Sequence, residues 1–145
     1  MRFLIDTCVV SELIKAPPDK NVLAWFEGIS EEDIYMSSLT LGEIEYGIER
    51  LHDGKKKNDI ALWFREVKEQ FREHIVPVTT EISLRWGSIR TNVQKKGFDI
   101  SVVDGIIAAT SICGDFTLAT RNVSDFKHIG LDIINPWEAD AGRLI

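Results

Sequence analysis

The sequence predicts an α/β fold in which a parallel sheet is covered by helices on both faces. Two observations carry this. Short, mostly apolar runs alternate along the chain with segments of helical periodicity, and that alternation marks β-α-β units, whose crossovers lay helices over a sheet buried on both sides. The chain has 145 residues and 44% apolar content, enough for one sizeable core and too little for two. Residues 1–145 therefore read as a single domain with five strands.

The elements follow in order. A strand at 2–5 closes on Asp6, and "TCVVSEL" then opens a helix over 7–15. "APPDK" breaks the chain before a helix at 21–28. A strand at 33–37 hands over to a helix at 40–52, and "HDGKKKND" reads as a surface loop before a helix at 59–72. In that helix Ile60, Trp63, Phe64, Val67 and Phe71 form the cleanest apolar stripe of the chain. A strand at 75–78, helices at 81–96 and 102–113, and strands at 116–120 and 131–134 complete the pattern.

Composition excludes several classes. Seventeen basic residues face 23 acidic ones, for a net charge of −6, so diffuse attraction to nucleic acid has no support. Any such substrate needs a local basic contact or bridging cations. Cys8 and Cys113 share no pairing pattern, and His52, His74 and His128 stand singly, so zinc-site spacing is absent. "MRFLID" lacks the apolar run of a signal peptide, and no segment reaches membrane-span length. A reducing, cytoplasmic setting is the expectation.

The acids at element boundaries are the informative residues. Asp6 ends an apolar strand, where open α/β sheets place their ligands. Glu43 is expected in the first turn of the helix after strand 33–37, and Asp104 in the first turn of the helix starting near Ser101. Asn122 and Asp125 follow strand 116–120 on a connecting turn. Each has an ordinary explanation as a helix cap: Thr40 with Glu43, Ser101 with Asp104 and Asn122 with Asp125 all fit capping-box spacing. In a parallel sheet, however, all strand ends of one polarity face the same side, so these acids converge. Converging carboxylates share protons or bind a hard divalent cation, and an oxygen-only set suits magnesium or manganese. Two such ions about 4 Å apart form a clamp for displacement at phosphorus.

Other candidates have plainer readings. Glu45 points to a different helix face from Glu43 and reads as solvated. Glu12 either approaches Asp6 or lies at the surface, and Lys55, Lys56 and Lys57 read as a solvated loop. Arg121, between Thr120 and Asn122, is the better candidate for a substrate phosphate, with its two neighbours at the same edge.

These segments resemble the PIN-domain ribonucleases of the VapC toxin type, with particular likeness to FitB-like members. The likeness rests on "FLIDTCVVSEL", "SSLTLGEIEYGI", "DISVVDGIIAAT", "LATRNVSDF" and the closing "INPW", in family order over essentially the whole chain. The resemblance implies a PIN-like three-layer α/β/α domain with a central parallel five-stranded sheet. It implies Asp6, Glu43 and Asp104 as metal-binding and catalytic carboxylates, with Asp125 in preference to Asn122 as the fourth. Cys8 stands where the family usually has asparagine. It further implies a magnesium-dependent endoribonuclease, with Mn2+ as a possible substitute, acting as the toxin of a type II toxin–antitoxin pair. A cognate antitoxin placing a basic side chain near the carboxylates, and a homodimer formed through helices near 40–72, belong to the same expectation. Two alternatives stand beside it: a PIN module that binds RNA or a partner without cleaving, and a phosphohydrolase of haloacid-dehalogenase-like pattern. The latter requires a second aspartate two residues after the first, where this chain has Cys8.

Overall fold

The computed structural model describes residues 1–139; residues 140–145 of the expected domain lie outside the described residues. Five strands form one sheet in the order β3-β2-β1-β4-β5, every neighbouring pair parallel. They are β1 (Phe3–Ile5), β2 (Ile34–Ser37), β3 (Ile75–Val76), β4 (Thr117–Ala119) and β5 (Ile133–Ile134). The helices are α1 (Thr7–Leu13), α2 (Lys20–Glu27), α3 (Ser38–Glu49), α4 (Lys55–Gln70), α5 (Thr80–Lys95), α6 (Val102–Cys113) and a short α7 (Val123–Phe126).

Strand side chains alternate between faces, and the core divides accordingly. Phe3 and Ile5 join Val9, Trp25, Ile44 and Phe64 on the face covered by α1 to α4, while Leu4 and Leu118 join Ile89, Ile107 and Phe126 under α5 to α7. The result is the expected three-layer α/β/α arrangement. β1 lies in the middle of the sheet, which explains why all three of its residues are buried.

Several boundaries differ from expectation. α4 begins at Lys55 and not at 59: Gly54, with φ 152°, ends the loop, and Lys55 and Lys57 then bond Asp59 and Asp53 one helical turn away. The lysine run is thus a helix start. Residues 123–126 form α7 where a bare turn was expected. α3 begins at Ser38 because Ser37 caps it, its Oγ accepting from the Leu39 N–H at 3.1 Å. No helix among the described residues is long and apolar enough to cross a membrane.

Strand order sets where a ligand can sit. The chain runs from β1 outward through β2 to β3, then returns to place β4 on the other side of β1. The crevice at the carboxyl ends of β1 and β4 is therefore the topological switch point, where open α/β sheets bind ligands. Asp6 follows β1 there, and its N–H donates to Ala119 O of β4 at 3.0 Å.

Candidate active site

Asp6 is held at both oxygens. As the N-cap of α1 it accepts at Oδ1 from the Thr7 N–H at 2.8 Å, and at Oδ2 from the Thr120 hydroxyl at 2.9 Å. It is only 8% exposed. Capping and site placement therefore coexist, because the cap uses one oxygen and orients the other.

Glu43 lies in the second turn of α3, not the first, since the helix starts two residues earlier than expected. That correction removes its capping-box reading: Ser37 is the cap and Thr40 is buried with no partner for its hydroxyl among the described residues. Glu43 instead accepts at Oε1 from the Thr7 hydroxyl at 2.6 Å. Thr7, which sequence reasoning passed over, thus tethers the acid of α3 to the start of α1. Its signal was its place, a hydroxyl directly after the strand-ending acid.

Asp104 stands in the first turn of α6, where its N–H donates to Ser101 Oγ at 3.1 Å. Burial holds its carboxyl above the ordinary carboxylate range, opposed by the Ser101 hydrogen bond and reinforced by the negative charges of Asp125, Asp6 and Glu43. Four segments therefore bring their acids within electrical range of one another. Asp125 sits in α7 and is exposed, and its N–H donates to Asn122 O at 3.0 Å. The Asn122 side chain makes no cap bond.

The edge around Arg121 differs from expectation in one residue. Thr120 is fully buried and gives its hydroxyl to Asp6, so it meets a carboxylate and not a substrate. The same oxygen accepts from the Asn122 N–H at 3.1 Å. Arg121 is exposed, donates its backbone N–H to Cys8 Sγ at 3.5 Å, and lays its guanidinium 5.2 Å from the centre of the Trp137 ring. The Cys8 sulfur lies 3.9 Å from Asp6 Oδ2. Burial pushes its thiol above the ordinary range, against the Arg121 N–H, so it stays a neutral S–H beside the carboxylate. Glu12 serves neither expectation: it is buried and turned away, accepting from Lys15 Nζ at 3.0 Å and from the Asp19 N–H at 2.9 Å, which ties down the α1–α2 loop. Glu45 is exposed.

The donor set is carboxylate oxygen with threonine hydroxyls behind it, which fits a divalent cation without selecting one. As placed, no three His, Cys, Asp or Glu side chains among the described residues are close enough to hold an ion.

The PIN domain family model matches residues 3–131. The chain belongs to the PIN domain family. Among PIN relatives it is 36% identical over 136 residues to the VapC ribonuclease Y4jK of Sinorhizobium fredii, covering 93% of this chain and 97% of that protein. It is 33% identical over 135 residues to Toxin FitB of Neisseria gonorrhoeae, covering 92% and 97%. The crystal structure of FitAcB from Neisseria gonorrhoeae superposes with a TM-score of 0.89 at 32% identity, covering 94% of this chain and 99% of that one. The PIN resemblance read from the motifs and the three-layer fold are both borne out.

Proposed function

We propose that this PIN chain is a metal-dependent endoribonuclease, the toxin of a type II toxin–antitoxin pair, with residues 1–145 forming one domain of that kind. The observation that carries the chemistry is the convergence of Asp6, Glu43, Asp104 and Asp125 at the switch-point crevice. These four hold the cation, magnesium by preference and manganese as substitute. When bound, the cation supplies an activated water and neutralises charge developing at phosphorus. The chain's own work is positional. Thr120 and the Thr7 N–H hold both oxygens of Asp6, and the Thr7 hydroxyl holds Glu43, so these two acids are oriented by the chain itself. Arg121 and Asn122 stand where the substrate backbone passes, Arg121 on a phosphate.

The relatives' names, VapC ribonuclease and Toxin FitB, support the activity and the toxin role. A cognate antitoxin is the protein partner, its basic side chain meeting the acids. A homodimer through α3 and α4 is supported by Tyr46 and Leu62, which expose 64% and 54% of their surface on those helices. Two free cysteines suit the reducing cytoplasm.

The test incubates purified protein, freed of antitoxin, with total RNA and with a generic phosphatase substrate, with and without magnesium. RNA cleavage that chelation abolishes is the expected result. Cleavage persisting in excess chelator overturns the metal reading, phosphatase activity without RNA cleavage overturns the nuclease, and neither activity in any metal leaves a binding module.

A further inference from the structure

Five serine and threonine side chains are buried among the described residues, and four of them have partners. Ser37 accepts from the Leu39 N–H at 3.1 Å, Thr110 donates to Ile106 O at 2.8 Å, Ser111 donates to Ile107 O at 3.0 Å, and Thr120 donates to Asp6 Oδ2 at 2.9 Å. Thr40 is the fifth. It is 0% exposed, and its hydroxyl has no partner among the described residues. Thr110 and Ser111 bond the carbonyl four residues back, the usual recourse of a hydroxyl inside a helix, but Thr40 makes no such bond to Met36. An unsatisfied buried hydroxyl is unfavourable, and a methyl group would fill the same space without that cost. A hydroxyl kept at such a place points to a partner outside the chain.

The place of Thr40 in the fold says what that partner is. β1 and β2 run in register with Leu4 opposite Tyr35, so Asp6 and Ser37, each two residues further on, leave the sheet level with one another. α3 starts there. Thr40 lies in its first turn and Glu43 three residues on, and residues so spaced are neighbours on one side of a helix. Glu43 in turn accepts from the hydroxyl of Thr7, the residue after Asp6. The buried nitrogens of Trp25 and Trp86 also lack partners, but they lie on α2 and α5, which carry none of the four acids, and an indole N–H only donates.

We propose that Thr40 is a positioning residue for the cation, its hydroxyl accepting a hydrogen bond from a water of the ion's hydration shell beside Glu43. The inference rests on the metal-dependent reading above. Magnesium keeps several of its waters when carboxylates bind it, and those waters turn their hydrogens outward, toward acceptors. A hydroxyl is the acceptor that suits a crowded acidic site, because it adds a lone pair without adding another repelling charge.

The experiment uses the full chain, freed of antitoxin, with manganese as the probe. Binding is followed by loss of the free-ion electron paramagnetic resonance signal in the unmutated chain, Thr40→Val and Thr40→Ser, and each is also melted in chelator and in magnesium. Thr40→Val should weaken manganese binding about tenfold or more, and Thr40→Ser should stay within about threefold of the unmutated chain. In chelator, Thr40→Val should melt level with the unmutated chain or above it, because an orphaned hydroxyl has gone. The rise in Tm that magnesium produces should shrink in the same variant. In RNA cleavage, Thr40→Val should raise the magnesium concentration needed for half the maximal rate and regain most of that rate at saturation. Unchanged manganese affinity in Thr40→Val overturns the inference. A Tm in chelator several degrees lower in that variant also overturns it, since the hydroxyl then has a partner within the metal-free protein, as does a loss of affinity in Thr40→Ser as large as in Thr40→Val. Absence of saturable manganese binding by the unmutated chain would remove the metal reading and this inference together, whereas binding that Thr40→Val leaves intact removes this inference alone.

Discussion

Isosteric substitution separates the two explanations open to Asp6 and Asp104. Asn caps a helix about as well as Asp, so a cap alone would survive Asp6→Asn and Asp104→Asn. Metal-binding acids would not. Asp6→Asn, Glu43→Gln and Asp104→Asn should each lower RNA cleavage by about two orders of magnitude or more, while metal-free melting temperature stays level or rises because a repelling charge is gone. Cleavage of total RNA and calorimetry in chelator check this, and near-wild-type cleavage in either aspartate variant returns that residue to capping. Asp104 also carries a pH dependence of definite sign. Its native carboxyl titrates above the ordinary range through burial and the neighbouring acids, so the folded state binds its proton longer than the unfolded state does. Its contribution to stability is full in acid below about pH 4 and is lost as pH rises through the raised value. Melting temperatures in chelator should therefore show Asp104→Asn gaining on wild type between about pH 4 and neutrality, with the gap closing in acid. A gap that widened in acid would mean the carboxylate is stabilised, not strained.

At the scale of elements, α6 presents Asp104 and depends on a close approach to α5. A Cβ built on Gly105 would lie 2.5 Å from Trp86 Cδ1 and 2.8 Å from Nε1, and that indole nitrogen is already buried without a partner among the described residues. Gly105→Ala should cost about 1–3 kcal/mol, lowering Tm by about 5 °C, with Trp86→Leu in the same chain recovering part of the loss. Thermal melts of the single and double variants test this, and an unchanged Tm in Gly105→Ala refutes the tight contact. Element order and type were legible in sequence because apolar runs and helical stripes alternate so cleanly; all five strands fall within the segments read for them. What escaped was set by single residues. Gly54 ends a loop that lysines suggested was longer, Ser37 starts α3 before Thr40 can, and α7 is too short to show a period. The side on which the four acids fall was legible because parallel strands put their ends together. The hydroxyl ties from Thr7 and Thr120 were not, since a buried threonine hydrogen bond leaves no periodic trace.

For the whole molecule, an acidic crevice on a chain of net charge −6 should attract a basic peptide. An antitoxin-derived peptide with an arginine able to pair bidentately with two of the acids should inhibit cleavage, and inhibition should weaken markedly between low and physiological salt. Inhibition constants across a salt series test this; salt-independent inhibition would place the contact on an apolar surface instead. The tie between Thr120 and Asp6 spans 114 positions of sequence, and β4 cannot pair with β1 until both have been made. At about 5–20 residues per second, synthesis leaves an interval on the order of ten seconds in which Asp6 exists without the strand that orients it. Chains arrested on the ribosome before β4 emerges should accordingly fail to cut RNA, and cleavage by such chains would show that Thr120 is dispensable. A nuclease built this way should spare the messenger and ribosome that make it for as long as β4 remains unmade.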